Sequence, residues 1–342
     1  MKKNRVRIGT RGSALALWQA NHVAGLLRGA YAELEVEIVT IKTTGDNILD
    51  SPLAQVGGKG LFVKEIEEAL LSGEVDLAVH SLKDVPAFFP DGLGLAAVLP
   101  REDPRDALLA RNAASLDDLP RGARVGTSSL RRQAQLLHLR PDLEIVTLRG
   151  NVDTRVRKLD SGDYDAIVLA AAGLKRMGLA GHVSAFLGIE TLLPAVGQGA
   201  IGIETRLNDP ETNGLVSSLE DNVTRTAVSA ERAFLRRLEG GCQVPIAAHA
   251  VVSGGSLKIA GLVASLDGRT LIRNVMEGVA AGPEDLGVTL AERILSAGGR
   301  EVLDAVYQAA GPGRTRVVPS PVAGDSHTKI PSPLTGEQGG GV

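Results

Sequence analysis

Apolar and polar positions alternate from the start of the chain. Val6 and Ile8 sit between polar neighbours and predict a strand that ends at Gly9-Thr10. Ser13 is placed to cap the helix that follows, with Leu15, Trp18, His22 and Leu26 on one stripe. Val36, Ile38 and Ile41 predict a second strand, ending at Thr43-Thr-Gly-Asp46. Phe62, Ile66 and Ala69-Leu70 mark a second helix that stops near Gly73, and Asp76–Val79 is a third strand. The next hundred residues repeat this in order. Arg7-Ile-Gly-Thr10 is echoed by Arg124-Val-Gly-Thr127, Glu37–Ile41 by Glu144–Leu148, and Ser72–Asp76 by Ser161–Asp165. Three echoes in one order predict two similarly built β-α-β domains, with a ligand cleft between them at the carboxyl ends of the strands.

Gly197-x-Gly199-x-x-Gly202 matches a dinucleotide fingerprint in letters only. Pro194 interrupts the approach, and Ile201 and Ile203 alternate like a strand rather than opening a helix. A strand crossing back into the first domain is the better reading. The last third changes character. Val228, Phe234, Leu235 and Leu238 lie on a helix that Gly240 is placed to end. Ile246–Val252, Leu257–Leu266 and Thr270–Val275 are separated by Gly254-Gly255 and Asp267-Gly268, which are hairpin signals. Helices from about Pro283 and near Val302–Tyr307 complete a small α+β domain. From Gly311 the chain is rich in Pro, Gly, Ser and Thr, the composition of a disordered tail.

Composition narrows the function. The 342 residues are 44% hydrophobic, carry a net charge of −3 and are only 3% aromatic. Stacking platforms are scarce and the overall field is weakly acidic, so nucleic acid is a poor ligand. One cysteine allows no disulfide within the chain, which fits a reducing compartment. No apolar run follows the basic MKKNR start, and none is long enough to span a bilayer, so the expectation is a cytoplasmic protein. The six histidines show no metal-ligand spacing, and no metal is predicted.

Basic residues recur where the cleft is expected: Arg11, Arg131 and Arg132, Arg149 and Arg155, then Lys175 and Arg176. An arginine fork binds a carboxylate bidentately, and hydroxyls and N–H groups at helix starts add anion sites. The set suits a ligand with several carboxylates or phosphates, although any one of these arginines alone is more simply a surface charge with an internal acidic partner. Asp84 follows the third strand, beside Lys83 and ahead of Pro86, which holds the chain extended. A carboxylate there stabilises a cation or relays a proton; taken alone, it does no more than pair with Lys83 or cap a turn. His80 and Ser81 are candidates to line the site, an internally bonded histidine being the commoner arrangement. Cys242 lies in Gly240-Gly-Cys-Gln-Val-Pro245, a loop suited to a covalent tether as much as to an inert thiol. Gly57-Gly-Lys-Gly60 lacks the spacing of a phosphate loop and reads as a flexible lid with Lys59 facing the ligand. A carboxylate receptor on the same two-domain plan needs the arginines but neither Asp84 nor a tethering Cys242. A cysteine-dependent hydrolase lacks an identifiable base.

Together these segments resemble the porphobilinogen deaminase (hydroxymethylbilane synthase) family from about residue 5 to residue 310. The similar runs are Ile8–Ala16, Lys42–Asp46, Gly57–Phe62, His80–Pro86, Gly126–Arg132, Leu148–Asn151, Leu169–Arg176, Leu193–Gly199 and Glu231–Pro245. The resemblance implies an α/β fold: two periplasmic-binding-protein-like domains with mixed sheets, plus a small α+β C-terminal domain. Expected boundaries are 1–99 with 199–219, 100–198 and 220–311, followed by a tail over 312–342. It implies a usually monomeric transferase carrying a dipyrromethane cofactor joined by a thioether to Cys242. Porphobilinogen loses ammonia, the growing chain attacks the resulting electrophile, and after four additions water releases hydroxymethylbilane. It implies Asp84 as the catalytic aspartate, whose carboxylate would hydrogen-bond pyrrole N–H groups and stabilise cationic intermediates, with Arg11, Ser13, Lys83, Thr127, Ser129, Arg131, Arg132, Arg149, Arg155 and Arg176 at ligand-binding positions. Arg131 and Arg132 would hold cofactor carboxylates, and Gln198 would line the cleft near the hinge. Gln55 stands where many relatives carry lysine, which throws weight onto Lys59.

Overall fold

The computed structural model describes residues 3–44, 63–239 and 244–309. Strand β1 (Arg5–Arg11) buries Val6 and Ile8 and leads into α1 (Ala14–Ala30), whose cap, Ser13, accepts a hydrogen bond from the Ala16 N–H. The core face of α1 is Ala20, Val23, Ala24 and Leu27, not the stripe of Leu15, Trp18, His22 and Leu26. Small residues let the helix lie close on the sheet, while Trp18 and His22 stack on its other side, ring centroids 5.1 Å apart. Next come β2 (Glu35–Ile41), α2 (Lys64–Leu71), β3 (Leu77–Ser81), a single turn over Leu82–Asp84, and β4 (Leu93–Val98).

The second half runs through β5 (Asp106–Ala110), β6 (Arg124–Gly126), α3 (Leu130–Leu139), β7 (Glu144–Val146), α4 (Val152–Asp160), β8 (Ala166–Ala170), α5 (Ala171–Arg176) and β9 (Ala185–Leu187). The chain returns as β10 (Ile201–Arg206) and α6 (Pro210–Ser217). The sheet orders are β2-β1-β3-β10-β4 and β7-β6-β8-β5-β9. In each, the echoed segments form a parallel trio, and the fourth strand enters antiparallel from the other half. The fold is therefore α/β with two mixed sheets of one plan.

The two crossings, near residues 99–105 and 188–200, touch each other. The Leu99 N–H bonds the Ile201 carbonyl oxygen at 3.0 Å, and the Glu102 N–H bonds the Gly199 oxygen at 3.2 Å. Gly199 has φ +89°, and a Cβ there would sit 2.3 Å from the Glu102 carbonyl oxygen. Close backbone approach thus requires this glycine. The chain beyond it is strand β10, so the glycine spacing serves a crossing and not a nucleotide.

The third unit starts with α7 (Asn222–Arg237), capped by Asp221, which accepts from the Thr224 N–H at 2.7 Å. Strands β11 (Ile246–Ser253), β12 (Ser256–Ala264) and β13 (Leu271–Val279) form an antiparallel sheet, covered by α7 and α8 (Pro283–Ile294) around Phe234, with α9 (Arg300–Ala309) behind. The end of α7 differs from the expectation at Gly240: the left-handed residue is Glu239, at φ +53°. Gly240 and Cys242 lie outside the described residues, as do Gln55, the Gly57–Gly60 loop with Lys59, and the tail.

A buried acidic cluster sits under the first sheet. Glu204 on β10 is fully buried, and its Oε2 lies 2.9 Å from His80 Nε2. Burial, then the charge of Glu204, pushes the nearby Glu67 carboxyl on α2 up to about 7, with His80 opposing. Because the folded value lies above the unfolded one, the stability tied to the Glu67 proton is complete below about pH 4 and is lost as pH rises through about 7. Glu67→Gln removes that loss. Its melting temperature should exceed the parent's at pH 8, by the equivalent of about 2 kcal/mol, and match it at about pH 4. Identical curves across that range would show that Glu67 folds without the proton.

Candidate active site

Strand β3 delivers Ser81 to the carboxyl edge of the first sheet and the chain then turns through Leu82–Asp84, closed by the Val85 N–H on the Leu82 carbonyl oxygen at 3.2 Å. Leu82 and Val85 are buried against Val98, Ala200 and Val228, so the turn is pinned on both sides of Asp84, which is itself exposed. No hydrogen bond reaches the Asp84 carboxylate among the described residues. Ser81 is engaged with the Gln19 carboxamide, 2.8 Å from its Nε2, and His80 is buried on Glu204.

Opposite stands the start of α3. Thr127 is buried, and its Oγ1 accepts from the Ser129 N–H at 3.2 Å; the Ser129 hydroxyl in turn accepts from the Arg132 N–H at 3.4 Å. Arg131 and Arg132 both turn inward onto Asp106, the first residue of β5. Arg131 Nη1 donates to Oδ2 at 2.7 Å; Arg132 Nε and Nη2 donate to Oδ1 at 3.0 and 2.7 Å. Burial alone would raise the Asp106 carboxyl, but the two guanidinium groups outweigh it and hold it well below the usual carboxylate range. Gln198 donates to the same Oδ1 at 3.0 Å and is 1% exposed. It lies at the returning crossing, where its Nε2 also donates to the Pro104 carbonyl oxygen at 2.7 Å.

The two halves meet electrostatically. Lys83 is partly exposed, yet the protein packed around it pushes its ammonium down to about 8; Asp84 and Asp106 oppose this while Arg132 and Arg131 add to it. Arg155 is pushed down to about 10 by burial and then by Arg132 and Arg149, with Asp84 opposing. Its Nε donates to the Gly150 carbonyl oxygen at 2.7 Å, and neither Nη has a hydrogen bond among the described residues. Thus Lys83 and Asp84 of the first half share one field with Arg131, Arg132, Arg149 and Arg155 of the second. Among the described residues, the carboxylates in this field are Asp84, which is exposed, and Asp106, which is buried and shared by Arg131 and Arg132. Depressed cations in a desolvated cleft call for anions, and a group bearing several carboxylates fits that donor set.

The remaining candidates lie around this centre. Arg11 ends β1, a strand residue rather than one just past it, and Ser13 caps α1. Arg176, at the end of α5, donates to the Gly199 carbonyl oxygen at 2.7 Å and lies 5.8 Å from the Trp18 ring centroid, bridging the halves. Lys175 is committed to Glu102 and Asp103 at 3.0 and 3.1 Å. Cys242 lies outside the described residues; the flanking α7 and Val244 are placed, with Val244 buried beside Val196 of the returning crossing.

Sequence reasoning missed Asp106, whose only local signal is an acid at the head of the apolar run Ala107–Ala110. It also missed Glu231. That fully buried carboxylate accepts from the Gly197 and Ala250 N–H groups at 2.7 and 2.8 Å and pairs with Arg101 at 2.9 Å. Arg232, beside it, was invisible as well. Among the described residues no cluster of His, Cys, Asp and Glu could hold a metal ion, and no helix is long and apolar enough to cross a membrane.

Comparison with known proteins places the chain as a whole. Residues 6–214 match the family described as "Porphobilinogen deaminase, dipyromethane cofactor binding domain", and residues 225–296 match "Porphobilinogen deaminase, C-terminal domain". The porphobilinogen deaminase of Pelobacter propionicus is 59% identical over 308 residues, covering 90% of this chain and 99% of that protein. That of Geobacter sulfurreducens is 57% identical, covering 90% and 96%. Among solved structures, the periplasmic VFT2 domain of Bordetella pertussis BvgS aligns with a TM-score of 0.40 and 18% identity, over 63% of this chain and 86% of its own. These matches span both halves and the third unit, and the chain belongs to the porphobilinogen deaminase family.

Proposed function

We propose that the protein is a hydroxymethylbilane synthase: a transferase that condenses four porphobilinogen molecules head to tail with loss of ammonia, then releases the linear tetrapyrrole by hydrolysis. One observation carries this reading: an exposed carboxylate, Asp84, set in a field of Lys83, Arg131, Arg132, Arg149 and Arg155 drawn from both halves. Each pyrrole brings an acetate and a propionate, so the cations bind substrate and growing chain. Asp84 accepts hydrogen bonds from pyrrole N–H groups and opposes positive charge as it develops. Arg155 offers its Nη groups to a carboxylate. Arg131 and Arg132, held on Asp106, keep a fixed positive floor. Arg11, Ser13, Lys59, Ser81, Thr127, Ser129 and Arg176 complete the proposed binding set, with Gln198 joined to it through Asp106.

Dipyrromethane, attached through sulfur at Cys242, would supply the primer whose free α-carbon is extended, and Arg131, Arg132, Arg149 and Arg155 would hold its carboxylates. The proposed domains are 1–99 with 199–219, 100–198 and 220–311, in a cytoplasmic monomer. Intact mass spectrometry tests the tether. The purified chain should be heavier than its sequence by two pyrrole units, with the excess on the peptide containing Cys242, and Cys242→Ala should lose both the excess and all turnover. An active enzyme of unmodified mass overturns the tether. Failure of the loaded chain to consume porphobilinogen overturns the function.

A further inference from the structure

We propose that Arg232 is a positioning residue that locks the Asp84 turn to α7, the helix leading to Cys242. Resting on the function proposed above, this adds to it a mechanical link between the acid and the cofactor-bearing unit. Arg232 is 4% exposed. Its Nη2 donates to the Pro86 carbonyl oxygen at 2.7 Å and more weakly to that of Ala87 at 3.4 Å, while Nη1 reaches that of Val85 at 3.4 Å. The guanidinium carbon lies 5.1 Å from the centroid of the Phe89 ring. One planar fork thus takes three successive carbonyls and one aromatic face just after Asp84.

The arrangement has a reason in the chain. Residues 85–87 follow the Leu82–Asp84 turn and belong to no strand, so no sheet ladder serves their carbonyls. Helix α7 supplies the donor from one face: Val228, a turn before Arg232, is buried against Leu82 and Val85. The next residue back, Glu231, bonds the Gly197 and Ala250 N–H groups, fixing the same helix to the returning crossing and to β11. Adjacent side chains of α7 therefore grip the hinge and the Asp84 turn. Burial, and then the charge of Arg236, pushes the Arg232 guanidinium down to about 10, so its place rests on the geometry of the three carbonyls and the ring. Lysine is no substitute, because a point charge cannot serve three carbonyls and stack on a ring.

The test uses the full-length, cofactor-loaded protein and three variants: Arg232→Met, Arg232→Lys and Phe89→Leu. Intact mass should show normal cofactor loading in each, with KM for porphobilinogen changed by less than about two-fold. In Arg232→Met kcat should fall about thirty-fold through misplacement of Asp84; the other two should lie between it and the parent. Amide hydrogen exchange over residues 82–89 should quicken about ten-fold, with β12 unchanged. Parent-like kcat with a loosened turn, or parent-like exchange of the turn, overturns the proposal. If Arg232→Met does not fold, Arg232→Lys and Phe89→Leu decide by the same criteria. If the parent itself consumes no porphobilinogen, the functional reading falls, and the exchange data alone judge whether Arg232 holds the turn.

Discussion

Asp84→Asn should lower kcat by about a thousand-fold while the melting temperature stays within about a degree of the parent's. The asymmetry follows from where the residue sits. Its carboxylate is exposed and accepts no hydrogen bond among the described residues, so amidation removes no fold contact. The turn is held instead by Leu82, Val85 and the Arg232 fork. What disappears is the accessible negative charge facing Lys83 and Arg155. An amide can still accept one hydrogen bond from a pyrrole N–H, so KM should move much less than kcat. Asparagine cannot balance positive charge on the reacting ring, and the surrounding cations then raise the barrier unopposed. Steady-state kinetics with porphobilinogen, alongside thermal melts, decide the matter. Turnover within two-fold of the parent would remove the carboxylate from the chemistry.

The readable parts of this chain were those written in neighbouring residues. The three echoes gave two sheets of one plan because strand, turn and helix signals are local. Ile201 and Ile203 marked a returning strand because period-two alternation is local as well. Lys83-Asp84-Val85-Pro86 announced a rigid turn through the restriction proline places on its neighbours. Long-range partnerships left no such trace. The apolar residues Leu15, Trp18 and Leu26 drew attention on α1, whereas the packing surface is made by the smaller Ala20, Val23 and Ala24 with Leu27. Burial is decided by which side meets the sheet, and hydrophobicity alone does not encode it. The arginine pair was visible, but its partner Asp106 lies 25 residues from Arg131 in a different element. Arg232 reads as one more basic helix residue, since its acceptors are backbone carbonyls that no side-chain pattern announces.

Asp106→Asn should be the most destabilising substitution in the cleft. Asp106 is fully buried, and its two oxygens take three donated hydrogen bonds from Arg131 and Arg132 and one from Gln198. Removing its charge leaves two buried guanidinium groups facing each other, a loss of about 3–5 kcal/mol at neutral pH. The pH profile gives the decisive signature. Burial opposes ionisation of Asp106, but Arg131 and Arg132 overcome it and hold the folded carboxyl below its unfolded value of about 4. The stability it contributes is therefore present above about pH 4 and lost as pH falls through the folded value. Parent and variant should thus differ most from pH 5 to 8 and converge in strong acid, where the parent's carboxyl is neutral too. Chemical denaturation from pH 8 down to pH 3 should show the difference level above about pH 4 and beginning to shrink below it. The variant should also load its cofactor poorly, because the two arginines lose the anchor that fixes their direction. A difference between the proteins that stays constant across that pH range would show that shape, and not charge, makes Asp106 matter.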